Sequence, residues 1–430
     1  MANFGDYITN EYAILRLILN NLTLTDLLTA RKVCRSWHRC VISILQNVDS
    51  AKSPHILYTD QLFYDNEVDH WDKLRIIPEV LIRFSTDCVD PLRDERNKCW
   101  VSLLNDKLEA DEEIIRKVDE EHGLHPPTGL LDFVCDGVIG CVPAHAPLKC
   151  SLGALCGIQQ CTRPFGFHQT RTNFEKLYVF SMASSGKASS ALVLPRMPGV
   201  HYDLVKFHLE NKEIRLESFP KSPPWVDMPI KCVLLIDCRL RNRNAQVIKC
   251  LRTFLEFFEV SDNTCFALGG GRLRGGVSWP RGAGGRAPMF AIVVRGDNVT
   301  ANSFMLKPHY SKLDKIEDQV AAFARNVGPL PSGSKRIAVM AQCIDRQARM
   351  HSELRAQERY RNENKEAQII GKHFANIPVF GFVANGEIGY CSDPDIDTDN
   401  PPAKRIKMKP SLFINYQSTS LIVLTFNTQH

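Results

Sequence analysis

Residues 12–45, YAILRLILNNLTLTDLLTARKVCRSWHRCVISIL, constrain this chain more than any other stretch. Ile14, Leu15, Ile18 and Leu22 recur at spacings that share one helical face. Asn20 and Asn21 are poor helix formers and end that run. Thr23 stands three residues before Asp26, the spacing of a capping box, so a second helix starts there and carries Leu27 and Leu28. Val33, Trp37, Val41 and Ile44 repeat at helical spacing in a third. Leu17, Leu19 and Leu24 add apolar surface beyond a single stripe. Helices this short bury too little to stand alone. The unit therefore needs a surface to pack on, either the rest of the chain or another protein.

With 430 residues the chain has room for two or three cored domains, and its 44% hydrophobic content is that of a globular protein. The net charge of +5 is too mild to argue for nucleic acid. Fifteen cysteines are scattered along the chain rather than set out as a small disulfide scaffold, so reduced thiols inside a cell are expected. The first residues lack the basic leader of a signal peptide, and no apolar run reaches the length of a membrane span. Asn298-Val299-Thr300 matches a glycosylation sequon that is expected to be idle.

Alternating and continuous apolar runs place strands at GLLDFV, GVIGCV, SSALVLP, HYDLVKFHLE, KCVLLIDC, CFALGGG, MFAIVVRG, KRIAVMAQC and SLIVLTF. Amphipathic helices are expected at NAQVIKCLRTFLEFFEV and KLDKIEDQVAAFARNV, with an acidic helical stretch ending near Gly123. A long polar helix, with a solvated face, is read from Arg346 to Lys372. Interleaved helices with hairpin-like strand pairs give an α+β fold. The expected division is 8–50 for the helical unit, 55–228 for a first α+β region and 229–430 for a second.

Val379 to Gly389, VFGFVANGEIG, is the second informative segment. An apolar strand runs into Asn385-Gly386, the strongest short hairpin signal. Glu387 is then expected at the edge of a strand. A purely structural hairpin would need only this turn chemistry.

The Leu22 to Leu28 step and Val33-Cys34-Arg35-Ser36-Trp37 resemble the F-box, the adaptor-docking module of cullin-RING ubiquitin ligases. The usual Leu-Pro opening is absent, and Asn10-Glu11 stand in its place. The resemblance implies that Ile14, Leu15, Ile18, Leu22, Leu27, Leu28, Val33 and Trp37 form the apolar core and adaptor contact. It implies a Skp-type adaptor, and through it a cullin-RING ligase, as partners. The Phe-Gly strand running into Asn-Gly-Glu-Ile-Gly resembles the FIST C-terminal motif, of the F-box and intracellular signal transduction family. KRIAVMAQCIDR and the final SLIVLTF resemble further strands of that family. This second resemblance implies a substrate- or ligand-binding role for Cys343, Arg346, Gly381, Asn385, Gly386, Glu387 and Gly389. Together the two imply a three-helix F-box followed by a mixed α/β FIST-type substrate domain. The whole is a non-catalytic receptor that delivers an unidentified protein for degradation, with no cofactor or metal. A small-molecule or thiol-sensing module with a vestigial F-box is the alternative. As a bare residue, Cys343 is more often a small buried hydrophobe.

Gly269 to Arg286, GGGRLRGGVSWPRGAGGR, lacks the lysine and strand-loop-helix context of a phosphate loop. It is expected to be a flexible surface loop, with RNA binding through Trp279 as the alternative. Cys135, Cys141, Cys150, Cys156 and Cys161, with His145 and His168, lack the paired spacing of structural zinc sites. Lys404 to Lys409 is a basic cluster of the nuclear-import kind, and both cytoplasm and nucleus are expected locations.

Overall fold

A computed structural model describes residues 12–47, 54–60, 78–86, 129–143, 176–182, 188–210, 213–216, 228–238, 266–273, 289–306, 313–346, 365–375, 377–389, 413–415 and 417–427. The expected helices around 106–123 and 244–260 lie outside these residues, as do most of the 269–286 stretch, Lys404 to Lys409 and the cysteines from 150 to 161.

Three helices open the fold: α1 (Tyr12–Leu19), α2 (Leu24–Ala30) and α3 (Arg35–Asn47). Thr23 caps α2 as its spacing predicts: its Oγ accepts from the Asp26 N–H at 3.4 Å and donates to the Asp26 carboxylate at 3.0 Å. The Asn21 side chain donates to the Leu17 carbonyl, satisfying one open end of α1.

Strands dominate the rest, so the chain is α+β, with helices at its start and sheets after them. The first sheet orders as β1-β6-β2-β3, with β1 (His55–Asp60), β2 (Pro78–Ser85), β3 (Gly129–Val134) and β6 (Ala188–Pro195). A six-stranded sheet contains β4 (Gly137–Pro143), β5 (Lys176–Met182), β12 (Val299–Leu306), β13 (Ser334–Cys343), β14 (Val379–Ala384) and β17 (Thr419–Asn427), ordered β12-β17-β13-β14-β4-β5. A seven-stranded sheet contains β7 (His201–Glu210), β8 (Glu213–Leu216), β9 (Ile230–Asp237), β10 (Ala267–Arg272), β11 (Met289–Arg295), β15 (Glu387–Gly389) and β16 (Phe413–Asn415). It is ordered β16-β15-β10-β9-β11-β7-β8. Strands from both sides of the expected 228/229 division share sheets: β7 pairs with β11, and β4 pairs with β14. Helices α4 (Leu313–Val327) and α5 (Lys365–His373) cover the outer face of the six-stranded sheet through Ile316, Val320, Phe323, Ile370 and Phe374.

Alternation sorts each strand between two cores. In β2, Val80, Ile82 and Phe84 enter the central core, while Leu81 faces the N-terminal helices. In β6, Leu192 and Leu194 face inward, and Ala191 and Val193 face the helices. The three helices thus find their packing surface within the chain. Leu15, Leu27 and Leu28 are fully buried, each burial contributing about 1.5–3 kcal/mol. Phe84 of the first sheet stacks on Phe133 at 5.2 Å and on Phe382 of the six-stranded sheet at 4.2 Å. Phe133 meets Phe290 of the seven-stranded sheet edge-on at 5.3 Å. This aromatic cluster is where the three sheets join. Among the described residues no helix is long and apolar enough to cross a membrane.

Two expectations are corrected. Asn385-Gly386 does not close a hairpin: β14 pairs with β13 and β4, whereas β15 pairs with β10 and β16 in the other sheet. The turn geometry is present, with Gly386 at φ 112°, but the backbone of Arg272 in β10 takes the hydrogen bonds on both sides of it. Local turn chemistry sets the bend, and long-range pairing sets the partner. Glu387 stands at the start of strand β15, as expected, but that strand is flanked on both sides and the residue is fully buried. The surface-loop reading of Gly269 to Arg272 gives way to the CFALGGG strand that overlaps it: these residues end the buried strand β10. Glycine is needed there because a Cβ at Gly270 would stand 1.8 Å from the Leu235 carbonyl oxygen.

Candidate functional site

Two regions carry functional features, and their chemistry differs. The first is the outer surface of the N-terminal helices. Helix α1 is apolar on nearly every side, and the described residues cover one of them. Leu15 and Leu19 are buried, while Leu17 is 67% exposed and Ile18 and Tyr12 are also exposed. Val33, in the α2–α3 turn, is 63% exposed. An apolar helix covered on one side only leaves a face to be buried elsewhere.

The eight residues expected at the adaptor contact fall into three environments. Leu15, Leu27 and Leu28 are interior; Ile18 and Val33 are exposed; Ile14, Leu22 and Trp37 are half-buried. Leu17 and Tyr12 belong to the outer face but were not among the eight. For Leu17 the signal was present in the surplus of apolar residues off the main stripe of α1.

The second region is a buried polar network where the two larger sheets meet. Glu366, from the first turn of α5, accepts from Gln342 Nε2 at 2.6 Å, Arg346 Nε at 2.5 Å and Thr419 Oγ1 at 2.6 Å. Arg346 also donates to the Gln417 carbonyl at 3.3 Å. Glu387 accepts from the Ser418 N–H at 3.1 Å and the Ser418 hydroxyl at 2.7 Å, both on Oε2. The consecutive residues Gln417, Ser418 and Thr419 thus tie together both carboxylate groups. Gln417 adopts φ 63°, a left-handed conformation uncommon for a non-glycine residue.

Burial drives the Glu387 carboxyl up to about 8, against the opposing hydrogen bonds from Ser418. The Cys343 thiol and the Gly386 backbone also lie against this carboxyl and oppose the shift. The same burial, with the Glu387 charge next to it, pushes the Cys343 thiol above its ordinary value. A thiol held protonated in this way is a weak nucleophile. Among the described residues no cluster of histidine, cysteine and carboxylate could hold a metal ion.

Of the seven residues expected at a substrate or ligand site, Cys343, Arg346, Gly381, Gly386, Glu387 and Gly389 are buried, and Asn385 is half-buried. Cys343, Arg346 and Glu387 converge on the Gln417–Thr419 segment. Gly381 serves the packing of β14 on β13, since a Cβ there would lie 2.3 Å from the Met340 carbonyl oxygen. Gly389 packs beside Met305 and Ser420. The network's central carboxylate, Glu366, is missed by sequence reasoning because its segment reads as a solvated helix. No local signal distinguishes it from its charged neighbours.

A search of curated proteins returns no match to the chain. F-box domains generally bind a Skp-type adaptor, and F-box proteins are generally non-catalytic parts of ubiquitin ligases. Residues 12–46, the segment that bears the uncovered apolar face of α1, match the F-box domain.

Proposed function

We propose that this chain is the substrate-recognition subunit of a Skp-cullin-F-box ubiquitin ligase. The uncovered apolar face of α1 and the α2–α3 turn hold the Skp-type adaptor. The region from residue 229 to 430, which contributes strands to the two larger sheets, holds the target protein. Transfer is carried out by the ligase's other subunits, and this chain contributes by raising the effective concentration of a target lysine near the charged conjugating enzyme. Proteasomal degradation of the target then follows, in the cytoplasm and nucleus.

The observation that carries this reading is the exposure of Leu17, Ile18 and Val33 within the F-box match. The Phe-Gly and Asn-Gly-Glu-Ile-Gly segment supports a finer assignment, a FIST-type receptor resembling F-box only protein 22 and its relatives. In that assignment Cys343, Arg346, Gly381, Gly386, Glu387 and Gly389 act from inside, fixing the sheet junction on which the receptor surface rests. Asn385 is the motif residue that reaches that surface.

Adaptor co-purification with the full chain tests the reading. The wild-type chain is expected to retain a Skp-type adaptor stoichiometrically. Leu17→Asp with Val33→Asp is expected to lose it at unchanged melting temperature. Full retention by the folded double variant would overturn the assignment.

A further inference from the structure

The F-box segment holds nearly all of the chain's net charge. Between residues 12 and 46 five basic side chains, Arg16, Arg31, Lys32, Arg35 and Arg39, stand against one carboxylate, Asp26. The whole chain carries +5. Four of those five charges therefore sit in less than a tenth of its length. The single carboxylate is already engaged by the Thr23 cap. Arg31 is buried and donates to the Leu28 carbonyl.

The other four cations are exposed. Arg35 and Arg39, one turn apart, share a side of α3. Lys32 adjoins Val33, and Arg16 adjoins Leu17. Arg16 is close enough to α3 to act on the Cys40 thiol, which also receives a hydrogen bond from Tyr12. Exposed cations thus occur in the same short segment as the exposed apolar side chains that the proposed function assigns to the adaptor, Arg16 and Lys32 as their immediate sequence neighbours.

Helix propensity and core packing do not require this charge. Helix α3 has its arginines in its first half, where the positive end of the helix dipole disfavours them. Exposed apolar side chains in a segment with a surplus of exposed cations match a partner that offers apolar pockets on an acidic surface.

We infer that adaptor docking is electrostatically steered, with Arg16, Lys32, Arg35 and Arg39 drawing an acidic adaptor surface onto the apolar face of α1. This rests on the reading of the chain as a ligase receptor. Steering of this kind raises the association rate and makes it fall with salt, while the apolar contact sets the dissociation rate.

The test is association kinetics between the full chain and a purified Skp-type adaptor, at about 50 mM and about 500 mM salt. Arg35→Glu with Arg39→Glu is compared with Lys315→Glu and Arg325→Glu, an equal charge change on α4. Association of the wild type is expected to slow about tenfold or more at high salt. The α3 variant is expected to start about tenfold slower and to lose its salt dependence. Dissociation of both, and association of the α4 variant, are expected to change less than about threefold. Tight binding at a rate indifferent to salt and to the α3 charges overturns the inference and leaves the receptor reading intact. An α4 variant slowed as much as the α3 variant also overturns it, since total charge would then explain the effect. No complex at either salt overturns the receptor reading and the inference with it.

Discussion

In the F-box, Arg16, Lys32, Arg35 and Arg39 are exposed in the same segment as the exposed apolar Leu17 and Val33, whereas at the junction of the larger sheets Arg346, Glu366 and Glu387 are sealed in. The two regions place ionisable side chains in opposite environments. Surface cations cost little to hold and act at a distance, so they suit capture of a partner. Buried charges lose their hydration and are tolerated only when saturated with partners, so they fix one arrangement of the strands that supply those partners. Glu366 meets that condition with three side-chain donors. Glu387 meets it only in part and stays protonated near neutrality.

Removing the best-satisfied group should cost most. Glu366→Ala leaves Arg346, Gln342 and Thr419 without their acceptor and is expected to destabilise the chain by about 3–5 kcal/mol in denaturant unfolding. A loss under about 1 kcal/mol would show that the network is solvated and that the contrast with the F-box is false. In the F-box the corresponding contrast lies between neighbours on one helix. Leu17→Asp is expected to weaken adaptor binding by about 2 kcal/mol or more, with stability within about 0.5 kcal/mol of wild type. Leu15→Asp, two residues away but fully buried, is expected to lose both binding and folding of the F-box.

Glu387 sharpens the comparison through pH. Its folded value of about 8 lies above its ordinary value of 4.5, so the folded chain holds a proton that the unfolded chain has released. Stability is therefore expected to be greatest below about pH 4.5 as far as this group is concerned, and to fall as pH rises to about 8. Glu387→Gln should remove that part of the slope, as measured by melting temperature across the range. An unchanged slope would mean that Glu387 is already ionised in the fold. The smallest effect is expected at the α2 cap: Thr23→Ala should cost about 1 kcal/mol, visible as faster hydrogen exchange of the α2 amides.

Much of the architecture was legible in short-range pattern. The Thr23–Asp26 cap, the end of α1 at the asparagine pair and the strands from GLLDFV to SLIVLTF follow from spacing and apolarity over a few residues. What was illegible involved pairing across distance. Gly269 to Gly271 fit both the CFALGGG strand and the start of the glycine-arginine loop, because glycine is a poor strand former, and pairing with β9 and β15 on either side decides for the strand and carries it on to Arg272. Asn385-Gly386 read as a hairpin because that dipeptide makes tight turns, yet β10 supplies the partner backbone. Glu366 read as solvated because its sequence neighbours are polar, yet Gln342 and Thr419 reach it from strands 24 and 53 residues away.

The sequence by itself determined the α+β class, the F-box segment and the surplus of apolar residues in its first helix, because helix and strand periods and caps are local properties of the chain. Tertiary structure alone decided which of those apolar residues remain outside, since burial of Leu15 and exposure of Leu17 depend on where Leu81, Ala191 and Val193 of the first sheet lie. It alone decided that the charges around residue 387 are interior. A carboxylate's environment is set by groups that converge in space, and neither charge nor spacing along the chain encodes that convergence.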